Sequence, residues 1–160
     1  MAGSRLQRIV ALALVPAAAL GAGALIALRL HYQPPRVPEY IVANGNDEEL
    51  HLMPHGQFEV VLRPAAAVDG AIGARAFLLR GDTVRPWDPP FQVTRDGTVT
   101  IAGAVDILFH GVPPGPWDVA VAVGRPEVLP TAPRDVVRAR GRDAGADASW
   151  RLEVLRVWLE

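Results

Sequence analysis

Two histidines and a methionine in the first half of the chain could bind a metal ion. His51, Met53 and His55 follow one another at two-residue spacing, so on an extended strand all three side chains would lie on the same face. Imidazole and thioether groups are suitable copper ligands, and the spacing therefore predicts a candidate copper site. Pro54 and Gly56 disfavour a regular strand here, and the alternative is a polar turn in which neither histidine is a ligand.

The tripeptide Pro-Trp-Asp occurs twice and could contribute to a partner-binding surface. The two copies are Pro86-Trp87-Asp88 and Pro116-Trp117-Asp118. An exposed indole can stack on a sugar or on a partner protein. Trp87 and Trp117 are therefore the candidate partner-binding residues. The alternative is that both indoles lie in the core, because large aromatic side chains mostly bury their surface.

Side chains suited to nucleophilic catalysis are scarce. The chain has no cysteine, and its two serines, Ser4 and Ser149, lie outside any G-x-S-x-G motif. A carboxylate-dependent enzyme would need a cleft lined by two or more acids. The acids considered for such a cleft are Asp69, Asp82, Asp88, Asp106 and Asp118. We therefore expect a protein that is not an enzyme and that needs no cofactor.

The charge balance argues against a nucleic-acid partner. The formal net charge of the 160 residues is -1, and residues 30–160 carry 13 arginines against 17 acidic residues, a net charge of -4. A nucleic-acid-binding protein needs a basic face that displaces counterions from phosphates. The expected partner is therefore a protein or a component of the cell envelope.

An uncharged stretch near the N-terminus has the length of a membrane-spanning helix. Residues 9–28 read IVALALVPAAALGAGALIAL, and twenty residues at a rise of about 1.5 Å each cover the ~30 Å hydrocarbon core. We predict a short cytoplasmic tail at 1–8, a transmembrane helix at 9–29, and a periplasmic remainder at the inner membrane. The alternative is a cleaved signal peptide, because alanine-rich sites follow a basic start.

The remainder of the chain has the pattern of a β-sandwich. Residues 30–38 contain three prolines and predict a stiff linker. From residue 39 onwards, apolar and polar residues alternate between turn signals such as Asp96-Gly97. The pattern predicts an all-β fold over residues 39–160, a β-sandwich. Strands are predicted at 40–44, 57–64, 72–80, 90–94, 98–103, 117–124, 135–140 and 149–159, with one helical turn within 104–110.

The last segment carries two conflicting apolar patterns. Trp150, Leu152 and Val154 alternate in one phase, whereas Val157 and Leu159 belong to the opposite phase. A strand with a bulge near Leu155 would reconcile the two. The alternative is a helix, in which Trp150, Val154 and Val157 would share one face.

The stretch from Arg95 to Val123 combines an Asp-x-Gly turn, an apolar alternation, and a Pro-x-Gly turn followed by a tryptophan and a second alternation. The residues that form this pattern are Asp96, Gly97, Val99, Ile101, Pro113, Gly115, Trp117, Val119 and Val121. The stretch thereby resembles the transthyretin-like and carboxypeptidase-regulatory-like sandwich modules. This resemblance implies an Ig-like or transthyretin-like sandwich without catalytic activity. The chain departs from the pattern by inserting Ala104 to His110 between the two halves.

A longer stretch, from Phe58 to Pro130, is similar to the outer portion of certain single-span bacterial proteins, the zinc-finger anti-sigma-like regulators. The matching residues include the runs Phe58 to Pro64, Ala76-Phe77-Leu78, Arg85-Pro86-Trp87, Leu108-Phe109 and Val123-Gly124-Arg125-Pro126. Those regulators hold a sigma factor through a cytoplasmic His/Cys segment, and only about eight residues precede the predicted helix here. The resemblance therefore implies the outer sandwich without the regulatory head.

Taken together, these patterns predict a membrane-anchored envelope protein whose β-sandwich binds a partner. Recognition would use a sheet face or the loops, and the anchor would raise the local concentration of the binding site at the membrane. The alternative function is extracytoplasmic copper binding through His51, Met53 and His55.

Overall fold

Two β-sheets make up most of the described part of the chain. The structure is a computed structural model, and it describes residues 36–43, 49–140 and 149–160. Sheet A consists, in order across the sheet, of β1 (Tyr40–Val42), β3 (Gln57–Pro64), β7 (Val99–Ala104) and β6 (Phe91–Val93). Sheet B consists, in order, of β2 (Leu50–Leu52), β9 (Trp150–Leu159), β8 (Gly115–Gly124), β4 (Gly73–Arg80) and β5 (Thr83–Trp87). The predicted all-β fold with two sheets is confirmed.

The main core lies where the inner faces of the two sheets meet. Phe58, Val60 and Leu62 of β3 are buried together with Val119 and Val121 of β8. Their period of two along each strand is the alternation seen in the sequence, because successive side chains point to opposite faces of a sheet. The pairing of β2 with β9 is parallel and the other pairings are antiparallel.

The predicted Asp96-Gly97 turn joins β6 to β7. Gly97 has a φ of 87°, which a residue with a Cβ rarely adopts. The Asp96 carboxylate accepts hydrogen bonds from the hydroxyl groups of Thr94 and Thr98, and the Thr94 bond is the main reason that the pKa of Asp96 is lowered. The Tyr40 hydroxyl donates to the Gly97 carbonyl over 3.0 Å and ties β1 to this turn.

The segment predicted as a strand at 135–140 is a helix, so that prediction is wrong. The short helical turn expected within 104–110 is present as α1 (Val105–Leu108), and the second helix is α2 (Pro133–Arg140). In α2, Val136 is completely buried and Val137 is 50 % exposed. Val136 packs in a second core on the outer face of sheet B, whose other buried members are Phe77, Leu79, Ala120, Ala122 and Leu129. The helix was not predicted because only one of its eight residues is fully buried, and a single apolar position produces no helical periodicity in the sequence.

The last strand contains neither the predicted bulge nor a helix. β9 pairs with β8 without interruption, from Trp150 opposite Gly124 to Leu159 opposite Gly115. Leu155, Val157 and Leu159 face the main core. Trp150 and Leu152 face the second core under α2. The conflicting phases therefore arise because sheet B buries apolar side chains on both of its faces.

Two further strands were not among those predicted. β2 contains His51, and β5 contains Pro86. Both strands lie at the edges of sheet B. A proline is tolerated in β5 because an edge strand does not need every backbone N–H for the sheet.

The fold includes residues that belong to the predicted linker. Val37 is 2 % exposed and packs in the main core, and its carbonyl accepts a hydrogen bond from Nε of Arg151 over 3.3 Å. The buried body thus extends at least two residues before the predicted boundary at 39. The predicted tail at 1–8, the helix or signal peptide at 9–29 and the linker up to residue 35 lie outside the described residues. Among the residues that are described, no helix combines the length and the apolar character needed to cross a membrane.

Candidate functional site

His51 lies on the exposed edge strand β2, beside Trp158 of β9. The imidazole stacks on the indole with 6.2 Å between ring centroids and 21° between ring planes. Glu49 Oε1 lies 3.8 Å from Nε2, and Glu160 Oε1 lies 3.8 Å from Nδ1. These three side chains are all exposed to solvent. His51 is thus held at the surface between two carboxylates and a ring.

Met53 and His55 follow β2 in a turn instead of continuing the strand. The Gly56 N–H donates to the Met53 carbonyl over 2.9 Å, which closes the turn around Pro54 and His55. The extended strand assumed for the copper site therefore ends at Leu52. In residues 36–43, 49–140 and 149–160, no three His, Asp or Glu side chains converge as a metal site. Copper binding through His51, Met53 and His55 stays a prediction.

Trp87 is half-buried at the end of β5 and is held by defined contacts. Its indole Nε1 donates to the Leu108 carbonyl over 2.8 Å. The ring stacks on Phe109 with centroids 5.0 Å apart, and Phe58 lies edge-on at 6.3 Å. These contacts join β5, α1 and β3 at one end of the sandwich. Trp87 therefore presents part of its ring to solvent from a fixed position.

A cavity of about 450 Å³ adjoins Trp87. Its apolar lining includes Trp87, Phe91 and Pro86, and its polar lining is Arg75, Asp88 and Thr131. Aromatic walls with a few polar groups are typical of ligand sites, and this volume is within the range of about 300–1,000 Å³. The first Pro-Trp-Asp tripeptide thus lines a cavity that can hold a ligand or a chain segment.

The cavity lies next to the point where the edge strand β5 stops pairing with β4. β5 pairs with β4 from Arg80 to Ala76, and the pairing ends at Ala76 opposite Trp87. On their other side, Gly73, Ala74 and Arg75 continue to pair with β8. Among the described residues, no strand covers Ala74 and Arg75 on the β5 side. An open strand edge can pair with an additional extended chain.

Trp117 is much more deeply placed than Trp87. It is 6 % exposed and belongs to the main core. Its indole Nε1 donates to the Pro113 carbonyl over 2.8 Å. The guanidinium carbons of Arg80 and Arg85 lie 5.4 and 5.1 Å from the ring centroid. Little of this indole is available to a partner in this conformation, and the ring instead supports two arginines.

No known protein-family model matches this chain. No curated protein matches it either. Function is therefore inferred from the cavities and surfaces of the described residues.

The candidate catalytic acids are distributed over separate places. Asp88 lines the cavity beside Trp87, and Asp118 lines a second cavity at the start of β8. Asp118 pairs with Arg140 of α2. Each of these two cavities thus contains one of the five aspartates named from the sequence. Glu49 also lines the second cavity, beside the Asp118 carboxylate that is paired with Arg140.

Two residues of β9 stand out in the structure and were not singled out in the sequence. Trp158 is 39 % exposed on the outer face of sheet B. The sequence could have indicated this position, because Trp158 lies between Val157 and Leu159, and these two point to the opposite face of the strand together with Leu155. Glu153 lies on the inner face of β9, and burial raises its pKa to about 7. Nothing in its local sequence indicated burial, because an acidic residue in a strand is usually assigned to the solvent face.

Proposed function

We propose that this chain is a single-pass, membrane-anchored binding protein of a bacterial cell envelope, and that it is not an enzyme. Its periplasmic sandwich would bind an extended segment of a partner protein at the edge of β4 (the β4-edge site, defined by Ala74, Arg75, Trp87, Asp88 and Phe91). The observation that supports this most directly is the strand edge left open beside the fixed indole of Trp87.

The β4-edge site has the two features that strand addition requires. Backbone groups of an uncovered strand supply hydrogen bonds that do not depend on the partner's sequence, and neighbouring pockets select its side chains. Here Ala74 and Arg75 provide the uncovered edge. Trp87 and Phe91 provide an apolar pocket, while Arg75 and Asp88 add opposite charges at its rim.

The anchor is supported by the sequence. Residues 9–28 are uncharged and long enough to cross the hydrocarbon core. An anchored domain meets membrane-bound partners at a raised local concentration, so a modest affinity at the β4-edge site suffices for binding. The cell membrane and the periplasm are therefore the proposed locations of the helix and of the sandwich.

The finer classification of the sandwich is also a proposal. An Ig-like or transthyretin-like type is supported by two sheets of four and five strands around one apolar core. The similarity to the outer part of anti-sigma-like regulators would make a regulatory or sensory protein of the envelope the kind of partner to look for. The residues that carry that similarity include Arg85-Pro86-Trp87, and Trp87 belongs to the β4-edge site.

Site-resolved photocrosslinking of the full-length chain in native membranes tests the proposal. A photoreactive residue is introduced at Asp88, which lines the cavity, and in parallel at Arg63, which is exposed on β3 of the other sheet. We expect a discrete protein adduct from Asp88 and none from Arg63. Arg75→Glu should then remove the Asp88 adduct because it reverses the charge at the site.

The matched control for that charge reversal is Arg63→Glu, which changes the net charge equally but lies away from the cavity. It should leave the Asp88 adduct unchanged. Equal adducts from both positions, or an Asp88 adduct that survives Arg75→Glu, would mean that the β4-edge site is not where the partner binds.

A further inference from the structure

At the β4-edge site, the strand register shows which backbone groups are open. The two-residue turn Gly81-Asp82 joins β4 to β5, so Arg80 and Thr83 face each other at its base and exchange backbone hydrogen bonds. Every second residue of an antiparallel strand directs its N–H and C=O to the same neighbour. Ala74 therefore directs both groups to the β5 side, where no strand of the described chain lies beside it.

The chain itself does not satisfy these two groups of Ala74. Ala76 is the last residue of β4 with a partner in β5, and that partner is Trp87. Pro89 and Pro90 follow, and a proline has no N–H with which to extend the pairing. Among the described residues, no hydrogen bond reaches Ala74 outside its pairing with β8. One N–H and one C=O are thus open to a residue of another extended chain.

A partner residue opposite Ala74 would place its side chain on the inner face of sheet B. Opposed residues of a ladder share a face, and Ala74 packs against the main core. Trp87 and Phe91 also pack against this core, and both line the cavity of about 450 Å³. Neither ring is fully buried. A large apolar side chain would cover their remaining surface, which is favourable in water.

The partner residues on either side of that position would point to the outer face, because side chains alternate along a strand. Arg75 points to this face, since it follows Ala74 on the inner face and precedes Phe77 of the second core by two positions. Its guanidinium group lines the cavity and is exposed. The side chains next to the apolar residue of a partner therefore meet a cation.

Two further polar groups line the cavity. Thr131 lies in the chain between Leu129 and Val136 of the second core, and its hydroxyl adds a donor on the outer side. Asp88 is exposed and carries the competing charge. Asp88 and Arg75 form no ion pair with each other or with another described residue. The positive charge of Arg75 is therefore not neutralised within the described part of the chain.

We propose that the β4-edge site selects an extended partner segment in which acidic side chains flank one large apolar side chain. This selection rests on the proposed function, because it requires a partner segment at this edge. The apolar residue pairs with the backbone of Ala74 and lies against Trp87 and Phe91. The guanidinium group of Arg75 donates to a flanking carboxylate, whose two oxygens match its fork of N–H groups. Because an acid stands on both sides, the pattern fits in either chain direction.

Peptide titration followed by nuclear magnetic resonance tests this selection in the isotope-labelled full-length chain in neutral detergent. The probes are acetyl-Thr-Glu-Leu-Glu-Thr-amide and acetyl-Thr-Lys-Leu-Lys-Thr-amide, at constant ionic strength. We expect the glutamate peptide to cause saturable shifts of the Ala74 backbone N–H and the Trp87 indole N–H. The lysine peptide should bind about fivefold more weakly. Replacing leucine by glycine in the glutamate peptide should weaken binding about tenfold, because the apolar contact is lost.

Charge variants of the protein identify the group that selects. Arg75→Glu should reverse the preference, so that the lysine peptide binds about fivefold more tightly than the glutamate peptide. Asp88→Asn should strengthen binding of the glutamate peptide about twofold, because it removes the competing charge. The matched control is Arg63→Glu, which lies on sheet A and should keep the wild-type preference. Far-ultraviolet circular dichroism checks that each variant is folded.

The possible failures are distinguishable. Equal affinity for the two peptides, tighter binding of the lysine peptide by the wild type, or a preference that Arg75→Glu leaves unchanged would overturn the acidic selection and leave the proposed function standing. If neither peptide shifts the Ala74 N–H saturably, both the selection and the binding of extended segments at this edge are wrong. If the Ala74 signal instead shifts with protein concentration and without peptide, the occupant is a second copy of this chain, which also overturns the selection.

Discussion

Asp118 of β8 and Arg140 of α2 form an ion pair across the outer face of sheet B, with Oδ2 of the carboxylate accepting from a guanidinium nitrogen. Arg140 is the last residue of α2. A cation at this end of a helix is also favoured by the helix dipole. The pair therefore joins the C-terminal end of α2 to the sheet, while Val136 holds the middle of the helix through apolar packing.

We expect Asp118→Asn and Arg140→Gln each to lower the free energy of unfolding by about 1 kcal/mol. The double variant should lose much less than the sum, because either change already breaks the pair. Urea unfolding of the four proteins measures this coupling. The control cycle uses Arg134 and Asp135, a more exposed pair with 4.0 Å between Nε and Oδ1. Its coupling should be within about 0.3 kcal/mol of zero, and an equal coupling in both cycles would contradict the assignment.

The neighbouring valines of α2 provide a test of the helix itself. Val136→Ala should lower the free energy of unfolding by about 2 kcal/mol, because it removes two buried methyl groups and leaves a small cavity. Val137→Ala should change it by less than about 0.5 kcal/mol, because Val137 is 50 % exposed. Equilibrium urea unfolding gives both values. Similar losses at the two positions would mean that the segment does not pack on sheet B as a helix.

Glu153 should make the stability of the sandwich depend on pH. Burial is the main reason that its pKa is raised from 4.5 to about 7, and the carboxylate of Glu39 adds to the rise, whereas Arg151 opposes it. The folded state therefore binds a proton that the unfolded state has lost between pH 4.5 and about 7. The free energy of unfolding should consequently fall as pH rises through this range.

Glu153→Gln should remove that slope and raise the melting temperature above pH 7.5, because the neutral amide needs no proton to be buried. Thermal unfolding followed by circular dichroism between pH 4.5 and 8 measures both effects. Glu127→Gln is the control, since Glu127 is exposed on the short 3-10 turn of residues 126–128. If the wild-type slope persists in Glu153→Gln, another group is responsible for it.

The copper alternative leads to a separate expectation. We expect neither Cu(I) nor Cu(II) to bind the full-length chain more tightly than micromolar, because β2 ends at Leu52 and the turn places Met53 and His55 off the line of the strand. Titration with each ion measures this. Tighter binding that is lost in both His51→Ala and His55→Ala would establish the copper site and would replace the proposed function.

Local patterns in the sequence predicted the turns and the strands that bury only one of their two faces. Phe58, Val60 and Leu62 alternate with polar residues, and the Asp96-Gly97 turn requires a positive φ, so the strand and the turn were both recognisable from neighbouring residues. Strands β2 and β5 were missed because three to five residues at a sheet edge, one of them Pro86, carry no alternation that distinguishes them from a turn.

The candidate sites could be predicted only in part. The sequence singled out Trp87 and Trp117 as equivalent members of a repeated tripeptide. The structure separates them, because Trp87 lies beside an open strand edge whereas Trp117 lies in the core under two arginines. Which residues share a cavity depends on strand order, and strand order brings together residues that are far apart in the chain.

The sequence by itself determined an apolar N-terminal segment, a chain of alternating strands and the absence of cysteine chemistry, since each of these depends on composition or on neighbouring residues. The tertiary structure alone decided that sheet B is covered on both faces, that 133–140 is a helix, and that Arg80 and Arg85 both lie over the ring of Trp117. These features depend on which surfaces must be buried against each other, and that is a property of the packed sheets and not of any single segment.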